Sequence, residues 1–494
     1  MKTMKNTLLV ALALALVVTA SPAAAQADFT KFVVVGASVD SGFIDSCWVK
    51  HGQTDSWPAI FARQAGVTAA SFQQPIIGEP GLGPCQILTS LAPTFSYAPN
   101  TGKPENLTLP TPYNNLAIPG YLGASVVNCV TNTGAVPCKN ALIDVVLRGS
   151  GATVLQQAAS LKPTFFAVGV LGNELLGPAT SGTAIDGVTL VSKEVYAASY
   201  KTIVDTMKAA QGGTGKGIVM TIPDVTSLPY FTAVSPILGI NPADGKPIYV
   251  LGPTGCPPGY PACPAPAGTI VPLPLGALMK AGYGVPCAIA PTLPMCNNPL
   301  PDNGTVIGGA AVPGLLYPSE VALLKIRGAE YNAQISTLAQ ADGYKVFDTS
   351  ALLVDIAAHG REYAGMTLTS SYLSGGVFSY DGVHPSATGY AIVADALVQF
   401  VNANYGTNFP RVDMSSYLLN GNSSPGGFPT NAFGPPTQDE IVAFAAAYFT
   451  PEVLDHFWQT LGVSAQTDGV VLGDGDGEIP VPVAPRAPRV KFLD

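Results

Sequence analysis

The chain has 494 residues, enough for a large core in one big domain with additions or in two domains. Its residues are 47% apolar and only 11% charged, and the 53 glycines and 45 prolines predict a loop-rich globular protein. This composition excludes a coiled coil or a repeat array. The formal net charge is −9 and Lys and Arg form no cluster, so nucleic acid is a poor candidate partner.

The first 27 residues have the pattern of a secretory signal peptide. Two lysines precede an apolar run that ends in small residues, and cleavage is expected after Ala25 or Ala27. No cysteine follows the run until Cys47, which argues against a lipid anchor. No later stretch is apolar over the roughly 18 residues that a membrane span needs. The mature chain is therefore expected to be periplasmic or secreted, with no membrane span and with 21 basic and 32 acidic residues.

All eight cysteines follow the predicted signal peptide and fall into neighbouring pairs. An even number in an oxidising compartment favours disulfides. Zinc is the rival interpretation, but no C-x-x-C motif occurs and no histidine lies at ligand spacing. Eight cysteines allow many connectivities, and joining neighbours predicts the pairs Cys47–Cys85, Cys129–Cys138, Cys256–Cys263 and Cys287–Cys296.

The predicted elements alternate between short apolar strands and helices. In chain order they are a strand (31–38), a helix (56–66), a strand (163–174), a helix (191–210), a strand (216–224), a helix (318–341), a strand (344–350) and a helix (385–406). This alternation predicts an α/β fold with a parallel sheet covered by helices on both faces.

Two regions depart from the alternation. The Pro- and Gly-rich segment 239–312 contains four cysteines, which predicts an insertion held by disulfides. Beyond residue 410 the pattern is irregular, with two short helices predicted within 437–462 and an extended tail after them. The expected organisation is a signal peptide (1–27), a main domain (28–409) and a C-terminal extension (410–494).

Two short motifs suggest a site at the end of the predicted sheet. The first strand runs into GASVDSG, and sites of parallel sheets form at the carboxyl ends of the strands. Taken alone, a serine in such a turn is better interpreted as a backbone cap than as a nucleophile. Far along the chain, DGVHP places Asp381 three residues before His384, one of only four histidines. This pair is either structural or part of a hydrolytic triad.

Four blocks in the same chain order resemble the SGNH (GDSL-type) hydrolase family over about residues 31–404. GASVDSG supplies Ser38, NNLAIPG supplies Gly120, LGNELLG supplies Asn173, and DGVHP supplies Asp381 and His384. The resemblance implies a three-layer α/β/α, flavodoxin-like fold and a triad of Ser38, His384 and Asp381. It also implies an oxyanion hole formed by the N–H groups of Ser38 and Gly120 and by the side-chain amide of Asn173.

The sequence departs from the family pattern next to two of these residues. Ala37 stands where the family has an acidic or amide residue, so polar support for the serine turn is expected to be missing. In the third block Leu171 replaces a common glycine and Glu174 replaces a common aspartate. These changes affect the oxyanion loop and the rate more than the reaction. His51, His359 and His456 are better interpreted as surface or structural histidines.

The residue types suit acyl transfer through a serine. An imidazole, with its ordinary pKa near neutrality, can accept the serine proton, and a carboxylate can fix its tautomer. The resemblance thus implies an exported esterase or lipase for a small-molecule, lipid or carbohydrate ester, with no cofactor or metal expected. A carbohydrate O-deacetylase, an acyltransferase and a non-catalytic binding module remain alternatives. The apolar segment 225–240, with Tyr230 and Phe231, is expected to line the acyl pocket.

Overall fold

The structure is a computed structural model that describes residues 27–90, 94–302, 306–307, 310–363 and 365–418. The predicted signal peptide up to residue 26, the predicted helices at 437–462, His456 and the predicted tail lie outside the described residues.

Four parallel strands form the central sheet, in the order β1–β2–β3–β4. They are β1 (Phe32–Val35), β2 (Phe165–Val168), β3 (Gly217–Met220) and β4 (Lys345–Phe347). On the free side of β1, Asn115 forms a single parallel bridge with Val34. If this bridge is counted as a reduced second strand and the strands are numbered along the chain, their order across the sheet is 2-1-3-4-5, as in flavodoxin-like sheets. The predicted α/β fold is confirmed.

Helices cover the sheet in two layers. One layer contains α2 (Val154–Ser160), α3 (Lys193–Ala210) and α4 (Pro318–Ala341), and the other contains α1 (Trp57–Gln64) and α6 (Ala387–Tyr405). The intervening α5 (Thr349–His359) follows β4 directly. Every residue of the first three strands is buried, as a parallel sheet with both faces covered requires.

Local sequence sets the helix boundaries. The side chain of Ser192 caps α3 by accepting a hydrogen bond from the N–H of Val195, and Ser386 caps α6 in the same way through Gly389. Pro318 opens α4, where its missing N–H costs nothing. The bounds predicted for α4 are confirmed, and those of the other three predicted helices are within two residues of the observed ones.

All four predicted strands extend too far at their carboxyl ends, and the first two overrun into residues of the candidate site. After β1 the chain enters the short helix Ser38–Ser41, and after β2 it enters the helix Asn173–Ser181. The apolar run continues past the sheet edge in both cases, so periodicity alone does not show where the strand stops. Two of the candidate site residues therefore lie at helix starts.

The remaining elements are short connections around these layers. The helices are Lys50–Thr54, Gly123–Asn128, Leu142–Leu147, Pro229–Thr232, Leu275–Lys280 and Ser415–Leu418, with a 3-10 turn at Val225–Ser227. Two-stranded antiparallel pairs join Phe43–Ile44 to Cys47–Trp48, Gln86–Ser90 to Thr94–Tyr97, Ile237–Ile240 to Pro247–Tyr249, Leu251–Gly252 to Cys263–Pro264, Val306–Ile307 to Ala310–Ala311, and Arg361–Tyr363 to Met366–Leu368.

The predicted insertion has a small core of its own, separate from the main one. Its buried residues are Val234, Val250, Ala265, Val271, Leu275, Leu300, Leu315 and Tyr317, so this unit extends slightly beyond the predicted 239–312. All four predicted disulfides are present, two of them in the insertion. None of the helices in the described ranges is long and apolar enough to cross a membrane.

Candidate active site

Ser38 is the first residue of the short helix that follows β1, and only 7% of its surface is exposed. The first N–H groups of a helix have no partner within the helix. The backbone of Ser38 can therefore donate a hydrogen bond to an oxygen bound in front of it.

A buried carboxylate lies beneath this turn. Asp40 Oδ2 accepts a hydrogen bond from the N–H of Ala37 (2.8 Å), and Oδ1 accepts from Trp57 Nε1 (2.9 Å) and from the N–H of Val170 (3.1 Å). A Cβ on Gly36 would lie 2.1 Å from Asp40 Oδ2, so only glycine leaves room there. Ala37 has no polar side chain that could support the turn, and Asp40 supplies polar support in its place, a role that the sequence did not indicate.

Asp381 and His384 form a second buried group, in the turn before α6. His384 Nδ1 lies 2.8 Å from Asp381 Oδ2, which also accepts a hydrogen bond from the N–H of Ser46 (2.9 Å). Asp381 Oδ1 accepts from the N–H groups of Val383 (2.9 Å) and His384 (2.8 Å). The carboxylate thus fixes its own turn as well as the imidazole, which packs against the ring of Phe43 at 4.8 Å between centroids.

Opposing effects set the charge of Asp381. Burial alone would raise the pKa of this carboxyl, but the charge of a protonated His384, its hydrogen bonds and the N–H of Ser46 lower the pKa to about 2. Asp381 is therefore ionised at neutral pH. An ionised carboxylate at Nδ1 keeps the proton on that nitrogen and leaves Nε2 as the basic atom.

The loop that carries Gly120 is tied to two other blocks. Gly120 has φ +79°, a left-handed conformation that favours glycine. Next to it, the carbonyl of Tyr121 accepts a hydrogen bond from Asn173 Nδ2 (2.7 Å). The N–H of Ile118, in the same turn, donates to the carbonyl of Gly36 (3.3 Å). These contacts hold the loop between the serine turn and Asn173.

Glu174 holds the same loop from its other end. Its Oε1 accepts a hydrogen bond from the N–H of Gly123 (2.6 Å), at the start of the next short helix. Burial raises the pKa of this carboxyl to about 7. Glu174, at the position where the resembled family has a common aspartate, therefore links the third block to the loop that follows the second block. The sequence did not indicate this role.

Ser38, Asn173 and His384 line one cavity at the carboxyl ends of β1 and β2, and Asp381 lies behind His384. This is the switch point of a doubly wound sheet, where ligands bind. His384 Nε2 is buried and makes no hydrogen bond within the described part of the chain. Catalytic hydrogen bonds of this kind often tighten only when substrate is bound.

Other predicted residues lie elsewhere. Tyr230 lines a larger neighbouring cleft with His384, whereas Phe231 is buried in the main core. The half-buried His51 pairs with Glu79 and the exposed His359 pairs with Asp355, as structural histidines do. Among the residues described, no group of three His, Cys, Asp or Glu side chains could hold a metal ion.

No family model matches this sequence, and no curated protein is similar to it. Solved structures with a similar arrangement include a protein described as a GDSL-like lipase from Parabacteroides merdae, with 9% identity over 76% of this chain and 99% of that one and a TM-score of 0.30. An extracellular lipase from Streptomyces rimosus has 12% identity over 74% of this chain and 97% of its own, with a TM-score of 0.29. Both TM-scores lie below 0.5, so the fold class and the candidate site are assigned from the sheet order and the geometry of this chain alone.

Proposed function

We propose that the protein is an exported serine hydrolase that cleaves carboxylic esters through an acyl-enzyme on Ser38. The observation that carries the proposal is that Ser38 and His384 line one cavity while the buried Asp381 holds His384 Nδ1 at 2.8 Å. A nucleophile, a base and a group that orients the base are the minimum set for this chemistry. Export is supported by the N-terminal pattern and the four disulfides.

In the first half-reaction, Ser38 Oγ attacks the ester carbonyl carbon while His384 Nε2 takes its proton. The carbonyl oxygen becomes negatively charged, and the N–H groups of Ser38 and Gly120 and the amide of Asn173 are its proposed donors. The C–O bond to the alcohol then breaks as His384 returns the proton to the leaving oxygen, which leaves the acyl group on Ser38.

In the second half-reaction, water attacks the acyl-enzyme. His384 Nε2 takes a proton from the water, and the acid leaves when the same proton passes to Ser38 Oγ. Asp381 is ionised throughout and stabilises the imidazolium that forms in each half-reaction. The same steps with an alcohol in place of water would be acyl transfer, and with an acetylated sugar they would be deacetylation.

Labelling with a fluorophosphonate tests the nucleophile directly. We expect the folded protein to be labelled at Ser38 and to hydrolyse p-nitrophenyl butanoate, and both properties to be lost in Ser38→Ala. Ser41→Ala is the matched control, because Ser41 is a buried serine of the same short helix. No labelling of the folded protein would instead favour a non-catalytic binding module on this fold, and labelling at another residue would mean that Ser38 is not the nucleophile.

A further inference from the structure

The cavity beside Ser38 is apolar apart from the candidate catalytic groups. It has a volume of about 110 Å³, and only four of its lining residues have polar side chains: Ser38, Asn173, Thr349 and His384. Three of these four belong to the proposed machinery. An aliphatic chain bound in this cavity would therefore contact polar side chains almost only at the proposed catalytic residues, where the ester bond must lie.

One wall of the cavity is built from α5. Leu352, Leu353 and Ile356 face the cavity from one side of this helix, and Val393 of α6 contributes to the same lining. Ile356 is only 3% exposed, whereas Val354 on the other side of α5 is 61% exposed. The helix therefore divides into a face that lines the cavity and a face in solvent.

A second, larger cleft meets the cavity at Asn173 and His384. Its volume is about 570 Å³, and its lining is aromatic and polar, with Tyr97, Tyr230 and Gln86 among its residues. An ester consists of an acyl part and an alcohol part. The apolar cavity and the more polar cleft both adjoin His384, so each could bind one of these parts.

We infer that the small cavity binds the acyl chain of the ester and that the alcohol part lies in the larger cleft. This inference rests on the proposed function, and it moves the acyl pocket from Tyr230 and Phe231 to α5 and α6. Of the predicted segment 225–240, Val225 and Leu228 do line the small cavity. The substrate class is an ester of a short aliphatic acid with a larger ring-bearing or polar alcohol.

The size of the cavity sets the expected chain length. An apolar cavity of about 150 Å³ holds one six-carbon ring, so this cavity corresponds to roughly four or five carbon atoms. Each methylene that is buried is expected to raise kcat/KM about fourfold. We therefore expect kcat/KM to rise about 15-fold from acetate to butanoate esters and to level off or fall beyond hexanoate.

The test measures kcat/KM on p-nitrophenyl acetate, butanoate, hexanoate and octanoate. Ile356→Phe fills the cavity and should lower the ratio of hexanoate to acetate at least tenfold, whereas Ile356→Ala should move the optimum to a longer chain. Leu353→Phe provides a second filled variant if Ile356→Phe does not fold. Val354→Phe, on the exposed side of α5, should leave the profile unchanged.

A separate binding experiment distinguishes this inference from the proposed function. Hexanamide should bind to Ser38→Ala in calorimetry, and the additional Ile356→Phe change should weaken that binding at least tenfold. If the wild-type protein hydrolyses none of the four esters while Ser38→Ala still binds hexanamide in this way, the esterase would be overturned and the cavity's role supported. An unchanged chain-length profile in folded Ile356→Phe and Leu353→Phe, with turnover intact, would overturn the acyl cavity alone.

Discussion

Two buried aspartates in the candidate site have pKa values that are shifted in opposite directions. Each accepts at least three hydrogen bonds and is almost inaccessible to water. Burial raises the pKa of Asp40 to about 7, and the hydrogen bonds from its neutral partners, two backbone N–H groups and an indole, offset that rise only in part. For Asp381 the charge and hydrogen bonds of His384 outweigh burial and lower the pKa to about 2. The comparison shows that a cationic partner, more than the number of donors, decides the ionisation of a buried carboxyl.

The two carboxyls also act on different parts of the site. Asp381 orients the imidazole, so its removal should slow the proton transfers. Asp40 links the segments after β1 and β2 through Ala37 and Val170, so its removal should change the position of Ser38. Asp40 is therefore a positioning residue of the proposed reaction.

The largest expected effect comes from removing the base. His384→Ala should lower kcat for p-nitrophenyl butanoate by about 10³-fold or more, because no other titratable side chain among the described residues lines the cavity with Ser38. The variant should remain folded but unfold at a lower temperature, because Asp381 loses the partner that lowers its pKa. His359→Ala, an exposed histidine that also pairs with an aspartate, should retain full activity. A His384→Ala variant with most of its activity would contradict the triad.

The next effect tests the carboxylate that orients the base. In Asp381→Asn the side chain keeps its shape but loses its negative charge, so it no longer stabilises the imidazolium. We expect kcat to fall by roughly 10²- to 10⁴-fold with KM nearly unchanged. A loss of less than about fivefold, measured on folded protein, would show that another carboxyl takes this role.

Asp40→Asn should have a smaller effect of about tenfold on kcat. The amide oxygen can still accept from Trp57 and Val170, but the amide nitrogen then faces the N–H of Ala37, which loses its acceptor. The serine turn should shift while the base stays in place. Labelling of Ser38 by fluorophosphonate should slow in parallel with kcat, and a variant that is less stable but labels at the wild-type rate would refute the positioning role.

The pH dependence of stability should distinguish the two carboxyls by sign. The lowered pKa of Asp381 contributes stability above pH about 4 that is lost as pH falls toward 2. The raised pKa of Asp40 means that the folded protein holds this proton more tightly, so stability falls as pH rises from about 4 to 7. Each slope can reach about 1.4 kcal/mol per pH unit. Urea unfolding of wild type, Asp381→Asn and Asp40→Asn across pH 2–8 should show each slope decrease in its own variant. Between about pH 4 and 7 part of the slope should remain in Asp40→Asn, because burial also raises the pKa of Glu174 to about 7. Equal slopes in all three proteins would contradict the assignment.

The smallest effect on activity is expected from removing a disulfide of the insertion. Replacing Cys287 and Cys296 by serine should cost about 2–3 kcal/mol in the free energy of unfolding, because the bridge closes only a short loop. The insertion has its own small core, so hydrogen exchange should increase there first. Ester hydrolysis should remain within about twofold of wild type. The insertion lines the larger cleft through Leu273 and Lys280, so a large loss would mean that this bridge holds that lining in place.

The sequence by itself determined the features that local patterns encode. The alternation of apolar runs predicted the layers, Pro318 predicted the start of α4, and the spacing of neighbouring cysteines predicted the four disulfides. The ordered blocks predicted which residues would meet at the sheet edge, because the carboxyl ends of parallel strands share one edge. Ser38, Asn173 and His384 line one cavity there.

Only the tertiary structure decided which contacts support the site and which side chains line its cleft. Asp40 meets Val170 across 130 residues and Glu174 meets Gly123 across 51, and no local pattern encodes contacts over such separations. Phe231 and Tyr230 are adjacent in the chain, yet one is in the core and the other lines the larger cleft. Composition made both plausible pocket residues, but the direction of each side chain depends on how the elements around it pack, and that is fixed only when the layers assemble.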